Sequence, residues 1–133
     1  MLHCLVRLVT RPDLDGLTCA VLLSECEPVD AIELVHPQAL TDGKFEVHDG
    51  DVIANLPYHP HCALWFDHHQ LVDANPKPAE AFHGRYGLAP STARLVHDYY
   101  VEKLGPRIFE RYGELLEGTD RLDSANLTRQ DVL

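Results

Sequence analysis

Cys62-Ala63-Leu64-Trp65-Phe66 runs directly into Asp67-His68-His69, and that junction decides the fold. An apolar run this short, made of bulky side chains, predicts a strand buried on both faces, as in a parallel sheet covered by helices. The acid and imidazoles that follow then stand at the carboxyl end of a strand, where open α/β sheets bind their ligands. Successive strand side chains point to opposite faces, so the three cannot all address one ion. One His is the expected ligand, its neighbours orienting it or touching substrate. Asp and His together suit Mn, Fe or Zn.

Outward from this junction, strands and helices alternate. Leu2 to Val9 predicts a first strand that breaks at Thr10-Arg11-Pro12, and Leu17 to Leu23 a helix. Ala31 to Val35 predicts a second strand closed by His36-Pro37, and Phe45 to His48 a short third. Ser91 is an expected N-cap for a helix bearing Ala93, Val96, Tyr100, Val101 and Leu104, ended by Gly105-Pro106. A further helix is expected from Pro106 to Glu117, stopped by Gly118. Asp73 to Pro78, with two prolines, reads as a surface loop. This order predicts a three-layer α/β fold, a mainly parallel sheet with helices on both faces.

The chain has 133 residues and a mass of 15.0 kDa, which fits one domain over 1–133 with one hydrophobic core. No apolar run is long enough for a bilayer and the start lacks the pattern of a secretory leader, so a cytoplasmic protein is expected. Cys4, Cys19, Cys26 and Cys62 lack the close pairing of a structural zinc site and read as reduced thiols. The net charge of -10 repels polyanions at long range, so an anionic substrate needs local positive charge, which a bound divalent ion could supply.

Acidic clusters fall after the expected strands: Asp13 and Asp15 after the first, Asp49 and Asp51 after the third, Asp67 after the fourth. Asp120 and Asp123 follow the last helix. Each alone has an ordinary reading. Asp13-Leu14-Asp15-Gly16 is a turn with a capping Asp, Asp49-Gly50-Asp51 another turn, and Asp120 and Asp123 are solvated or capping acids. Converging on one rim, they could hold two divalent ions about 3.5 to 4 Å apart with a bridging carboxylate.

Together these segments resemble the DHH phosphoesterases, over nearly the whole chain. Arg11-Pro12-Asp13-Leu14-Asp15-Gly16 resembles the family's first motif, Asp51 at the head of Asp51-Val52-Ile53-Ala54-Asn55 its second, Asp67-His68-His69 its third, and Asp120 in Gly118-Thr119-Asp120 its fourth. The resemblance implies a Rossmann-like domain that hydrolyses phosphoester or phosphoanhydride bonds with two Mn2+ or Mg2+ ions. By position, Asp13 would serve one ion and Asp15 the other, Asp51 (or Asp49) would bridge, and His68 and Asp120 would complete the second site. Asp67 would support from behind. Asp51 and His69 would be the catalytic pair, with His69 meeting substrate phosphate. Apart from the resemblance, positive charge is scarce, and Arg85, Arg94 and Arg121 are the candidates for phosphate contact, Arg94 the best placed, one turn into a helix that starts near the rim.

Two departures qualify the transfer. The family commonly places a His two or four residues ahead of Asp13, whereas this chain has Arg11 and Val9. A guanidinium cannot ligate a metal, so either metal binds more weakly, or one site is occupied, or Arg11 holds substrate phosphate itself. Arg at that place resembles an exopolyphosphatase-like branch. Relatives also usually continue into a smaller C-terminal domain that closes over substrate, which is expected to be absent here, exposing apolar area that a homodimer could cover. The expected partner is a phosphate-bearing small molecule, polyphosphate or short oligonucleotide, and no membrane. A catalytically weak metal- or nucleotide-binding module acting through another chain is the competing expectation.

Overall fold

The computed structural model describes residues 5–70 and 76–132, with side chains to residue 125. Five strands form one sheet: β1 Val6–Thr10, β2 Val29–Leu34, β3 Val52–Ala54, β4 Leu64–Asp67 and β5 Gly84–Tyr86. Their spatial order is β2-β1-β3-β4-β5, and every neighbouring pair is parallel. Helices α1 Leu14–Cys26, α2 Pro37–Thr41, α3 Thr92–Leu104 and α4 Gly113–Val132 connect and cover them. The three-layer α/β architecture expected from the alternating pattern is the one observed.

Both faces of the central strands are buried, as the apolar runs require. Leu8, Val52, Ala54 and Phe66 point to one side, where α1, α3 and α4 pack with Leu22, Leu23, Val96, Tyr100 and Leu116. Val9, Ile53 and Trp65 point to the other, against Val35, Val47, Leu56 and Tyr58. The layers are unequal: the second face is covered by the short α2 and by irregular chain carrying Phe45 and Val47. Trp65 anchors it, its indole N–H donating to the Leu56 carbonyl at 2.9 Å and its rings stacking on Tyr86.

Three local expectations are corrected. Phe45–His48 is irregular, and the third strand is Val52–Ala54. Phe45 and Val47 alternate inward as strand residues do, but the fully apolar Val52-Ile53-Ala54 takes the place between β1 and β4. Asp49 and Asp51 therefore precede β3. Second, Pro106 begins turns and a 3-10 segment, Glu110–Tyr112, and Gly118 does not stop the last helix. α4 runs through it because Leu116 and Thr119 are buried on either side, tertiary packing outweighing the low helix propensity of Gly. Third, β5 was not foreseen, its three residues being too short for any periodic signal.

Cys19, Cys26 and Cys62 are free thiols, while Cys4 and residues 73–75 of the expected loop lie outside the described residues. No helix among the described residues is long and apolar enough to cross a membrane.

Candidate metal centre

Because every strand runs the same way, the residues following β1, β3 and β4 share one rim. β1 ends at Thr10, and Asp13 caps α1 by accepting the Gly16 N–H at 2.8 Å. The turn is tight: a Cβ on Gly16 would stand 1.9 Å from the Arg11 carbonyl oxygen, so only glycine fits. That turn drives Asp15, in the first turn of α1, inward until it is 3% exposed. There the N-terminus of α3 meets it, Thr92 N–H donating to one carboxylate oxygen and Ala93 N–H to the other, both at 2.9 Å. Burial nonetheless prevails and, with Asp123 nearby, holds the Asp15 pKa up at about 6.

His68, just past β4, faces this carboxylate. Its Nδ1 is 3.0 Å from the Ala89 carbonyl, which fixes that nitrogen as the donor and leaves Nε2 turned inward. Nε2 lies 3.5 Å from Asp15 Oδ2 and 2.9 Å from Asp123 Oδ2. Although Asp123 is near, it is off the N–H direction, and Nε2 has no aligned hydrogen-bond partner on a side chain only 4% exposed. Burial pulls the His68 pKa down, but Asp123, the Ala89 carbonyl and Asp15 outweigh it and raise it to about 9. One ligand atom from each of Asp15, His68 and Asp123 lies within 4.8 Å of the others. Two hard oxygens and an imidazole oriented from behind fit a divalent ion.

The adjoining half of the rim has a different character. Arg11 Nε lies 3.2 Å from Asp13 Oδ2. Asn55, directly after β3, is 1% exposed and carries a left-handed backbone, φ 63. Its Nδ2 donates to Asp13 Oδ1 at 3.1 Å, and its Oδ1 accepts from the Thr92 hydroxyl at 3.0 Å. Asp67 is buried and holds His69 Nδ1 at 2.6 Å, and the His69 ring is about half exposed. Asp67 therefore supports His69 and not His68. A set of Arg11, Asp13, Asn55 and Asp67 does not fit a second ion, because a guanidinium and an amide N–H both face Asp13 where the ion would sit.

Asp51, its alternative Asp49, Asp120 and Arg94, all expected at the site, are engaged otherwise. Asp51 precedes β3 and so sits at the opposite end of the sheet, where Arg7 grips it with two hydrogen bonds, 3.1 and 2.6 Å, and the His48 N–H donates a third at 2.9 Å. Asp49 is exposed beside His61. Asp120 lies one turn before Asp123 on α4, but it accepts from the Ser91 hydroxyl at 2.6 Å and from Arg94 at 2.9 and 2.6 Å. Asp120 and Arg94 thus occupy each other, and the α4 residue that reaches His68 is Asp123. Arg85 is paired with Glu102. Asn55 escaped the sequence reading because an amide after a short apolar run carries no charge signal.

No family model and no curated protein matches the chain. Among solved structures it is similar to a pGpG-specific phosphodiesterase, PggH, from Vibrio cholerae. Identity is 41% and the TM-score 0.74 over 96% of this chain and 40% of that one. The chain spans less than half of that protein's length. The likeness extends from fold to sequence, and it supports the phosphoesterase resemblance carried by Asp13-Leu14-Asp15-Gly16 and Asp67-His68-His69 without reaching its exopolyphosphatase-like branch.

Proposed function

We propose that this chain is a divalent-metal-dependent phosphoesterase domain of the DHH type that cleaves phosphodiesters of short oligonucleotides. The observation that carries the reading is the buried Nε2 of His68, which has Asp15 and Asp123 carboxylates at 3.5 and 2.9 Å and no aligned hydrogen-bond partner. Similarity to a pGpG-specific phosphodiesterase supports the substrate class. Asp15, His68 and Asp123 would hold Mn2+ or Mg2+. When bound, such an ion supplies Lewis acidity toward a phosphoryl oxygen and acidifies water. Arg11, partly exposed at the rim, presents its guanidinium fork to a phosphate. Asp67 holds Nδ1 of His69, so the half-exposed ring offers Nε2 to substrate or water.

A second reading, a metal-binding module with weak catalysis, draws on Asn55 and Arg11 standing where a second ion would be needed. One experiment separates the two. Protein stripped of metal and reloaded with Mn2+ is titrated and assayed on bis-p-nitrophenyl phosphate, pGpG, pyrophosphate and short polyphosphate, with His68→Ala and Asp123→Ala alongside. The phosphoesterase reading expects saturable Mn2+ binding and diester cleavage in the wild type, both lost in the variants. Binding without cleavage leaves the module, and cleavage of polyphosphate alone moves the substrate to phosphoanhydrides. Absence of metal binding sinks both.

A further inference from the structure

We infer, resting on that reading, that the chain binds one divalent ion, at Asp15, His68 and Asp123, and that Asn55 together with Arg11 closes the adjoining position to a second. A carboxylate bridging two ions must stand in mid-rim, between the residues that follow β1 and β4. β3 lies between those strands, so the residue following β3 holds that place, and it is Asn55. An amide brings no charge, and this one aims its N–H at Asp13 Oδ1. Its oxygen in turn accepts from the Thr92 hydroxyl, so the amide is engaged at both ends.

The carboxylates in this half are compensated by the protein itself. Asp13 Oδ1 takes the Gly16 N–H and the Asn55 amide, and its Oδ2 faces Arg11 Nε. Asp67 Oδ1 takes both the ring and the backbone N–H of His69. A dication entering here would displace these donors and sit beside a guanidinium of like charge. In the other half Asp15 also accepts two backbone N–H groups, but among the described residues no guanidinium or amide side chain faces its carboxylate, and His68 Nε2, without an aligned partner, has Asp15 and Asp123 crowding it. The positive charge that a second ion would bring to substrate is supplied instead by Arg11.

The test is stoichiometry, read apart from turnover. The full chain, stripped of metal, is titrated with Mn2+ by calorimetry, and bound Mn2+ is examined by electron paramagnetic resonance. The wild type is expected to take one ion per chain, with the signal of an isolated ion, and His68→Ala is expected to lose it. The double variant Arg11→His with Asn55→Asp is expected to take two ions with a spin-coupled signal. Asp tolerates the left-handed conformation of position 55 as Asn does. Wild type taking two ions of similar affinity overturns the inference while leaving the phosphoesterase reading intact. A folded double variant that still takes one overturns the role given to Asn55 and Arg11. An ion retained by His68→Ala places the site elsewhere, and wild type taking none overturns the metal centre itself. If the double variant does not fold, wild-type stoichiometry still decides between one ion and two.

Discussion

Asp51 and Asn55 bracket the same three-residue strand, and the strand's direction alone decides which of them reaches the rim. Asp51, at the far end, has its carboxylate held by Arg7 and by the His48 N–H, and that pairing raises the Arg7 pKa. Asp51→Asn should therefore weaken the fold by about 2 kcal/mol, as expected for charge-assisted hydrogen bonds lost from a mostly buried pair, without changing Mn2+ affinity. Urea unfolding and Mn2+ titration of the same preparation check both halves, and a tenfold loss of Mn2+ affinity would return Asp51 to the site. At the rim, Asp67→Asn should act through His69. The imidazole loses its anionic anchor at Nδ1, so kcat on a diester should fall roughly 10- to 100-fold, as for other supporting groups behind a functional His, with the Mn2+ dissociation constant nearly unchanged. An equal loss of metal binding would show that Asp67 ligates the ion.

Individual elements show what the sequence could carry and where it stopped. The buried run before Asp67 and the Ser91 cap were legible because each signal is local: an apolar strand in one case, a hydroxyl accepting the Arg94 N–H at 3.1 Å in the other. Asp13, Asp15 and His68 were legible for the same reason, since each is fixed by the turn or strand end on which it lies. Phe45 and Val47 misled because inward alternation looks alike in a strand and in a segment with no strand partner. Asp120 was placed at the site, in preference to Asp123, because Gly118-Thr119-Asp120 resembles a family motif, and only an unbroken α4 sets which acid of that turn faces His68. That continuity is testable. Gly118 lies inside the helix, without positive φ, and a Cβ there meets nothing within 4 Å. Gly118→Ala should thus stabilise the protein by about 0.5–1 kcal/mol in thermal or urea unfolding. Destabilisation of similar size would mean that the helix ends there in a left-handed glycine.

Across the whole molecule, the centre joins α1, the end of β4 and α4, three elements distant in sequence that also enclose the larger apolar cluster through Cys19, Phe66 and Leu116. In the metal-free chain this junction holds two acids near each other, and the proximity of Asp123 adds to the burial that raises the Asp15 pKa. On a chain of net charge -10 nothing at long range relieves them. A divalent ion seated there would bind the folded state alone, since its ligands are scattered in the unfolded chain. Mass action then predicts about 2.7 kcal/mol of added stability at a free Mn2+ concentration 100 times the dissociation constant. For a domain of this size that corresponds to a rise in Tm on the order of 10 °C. The rise should grow with the logarithm of Mn2+ concentration in calorimetric scans and vanish in Asp123→Ala. Asp120→Asn should keep it, though from a lower starting Tm, because that carboxylate serves Ser91 and Arg94. A Tm rise lost in Asp120→Asn and kept in Asp123→Ala would reverse the assignment of the two acids.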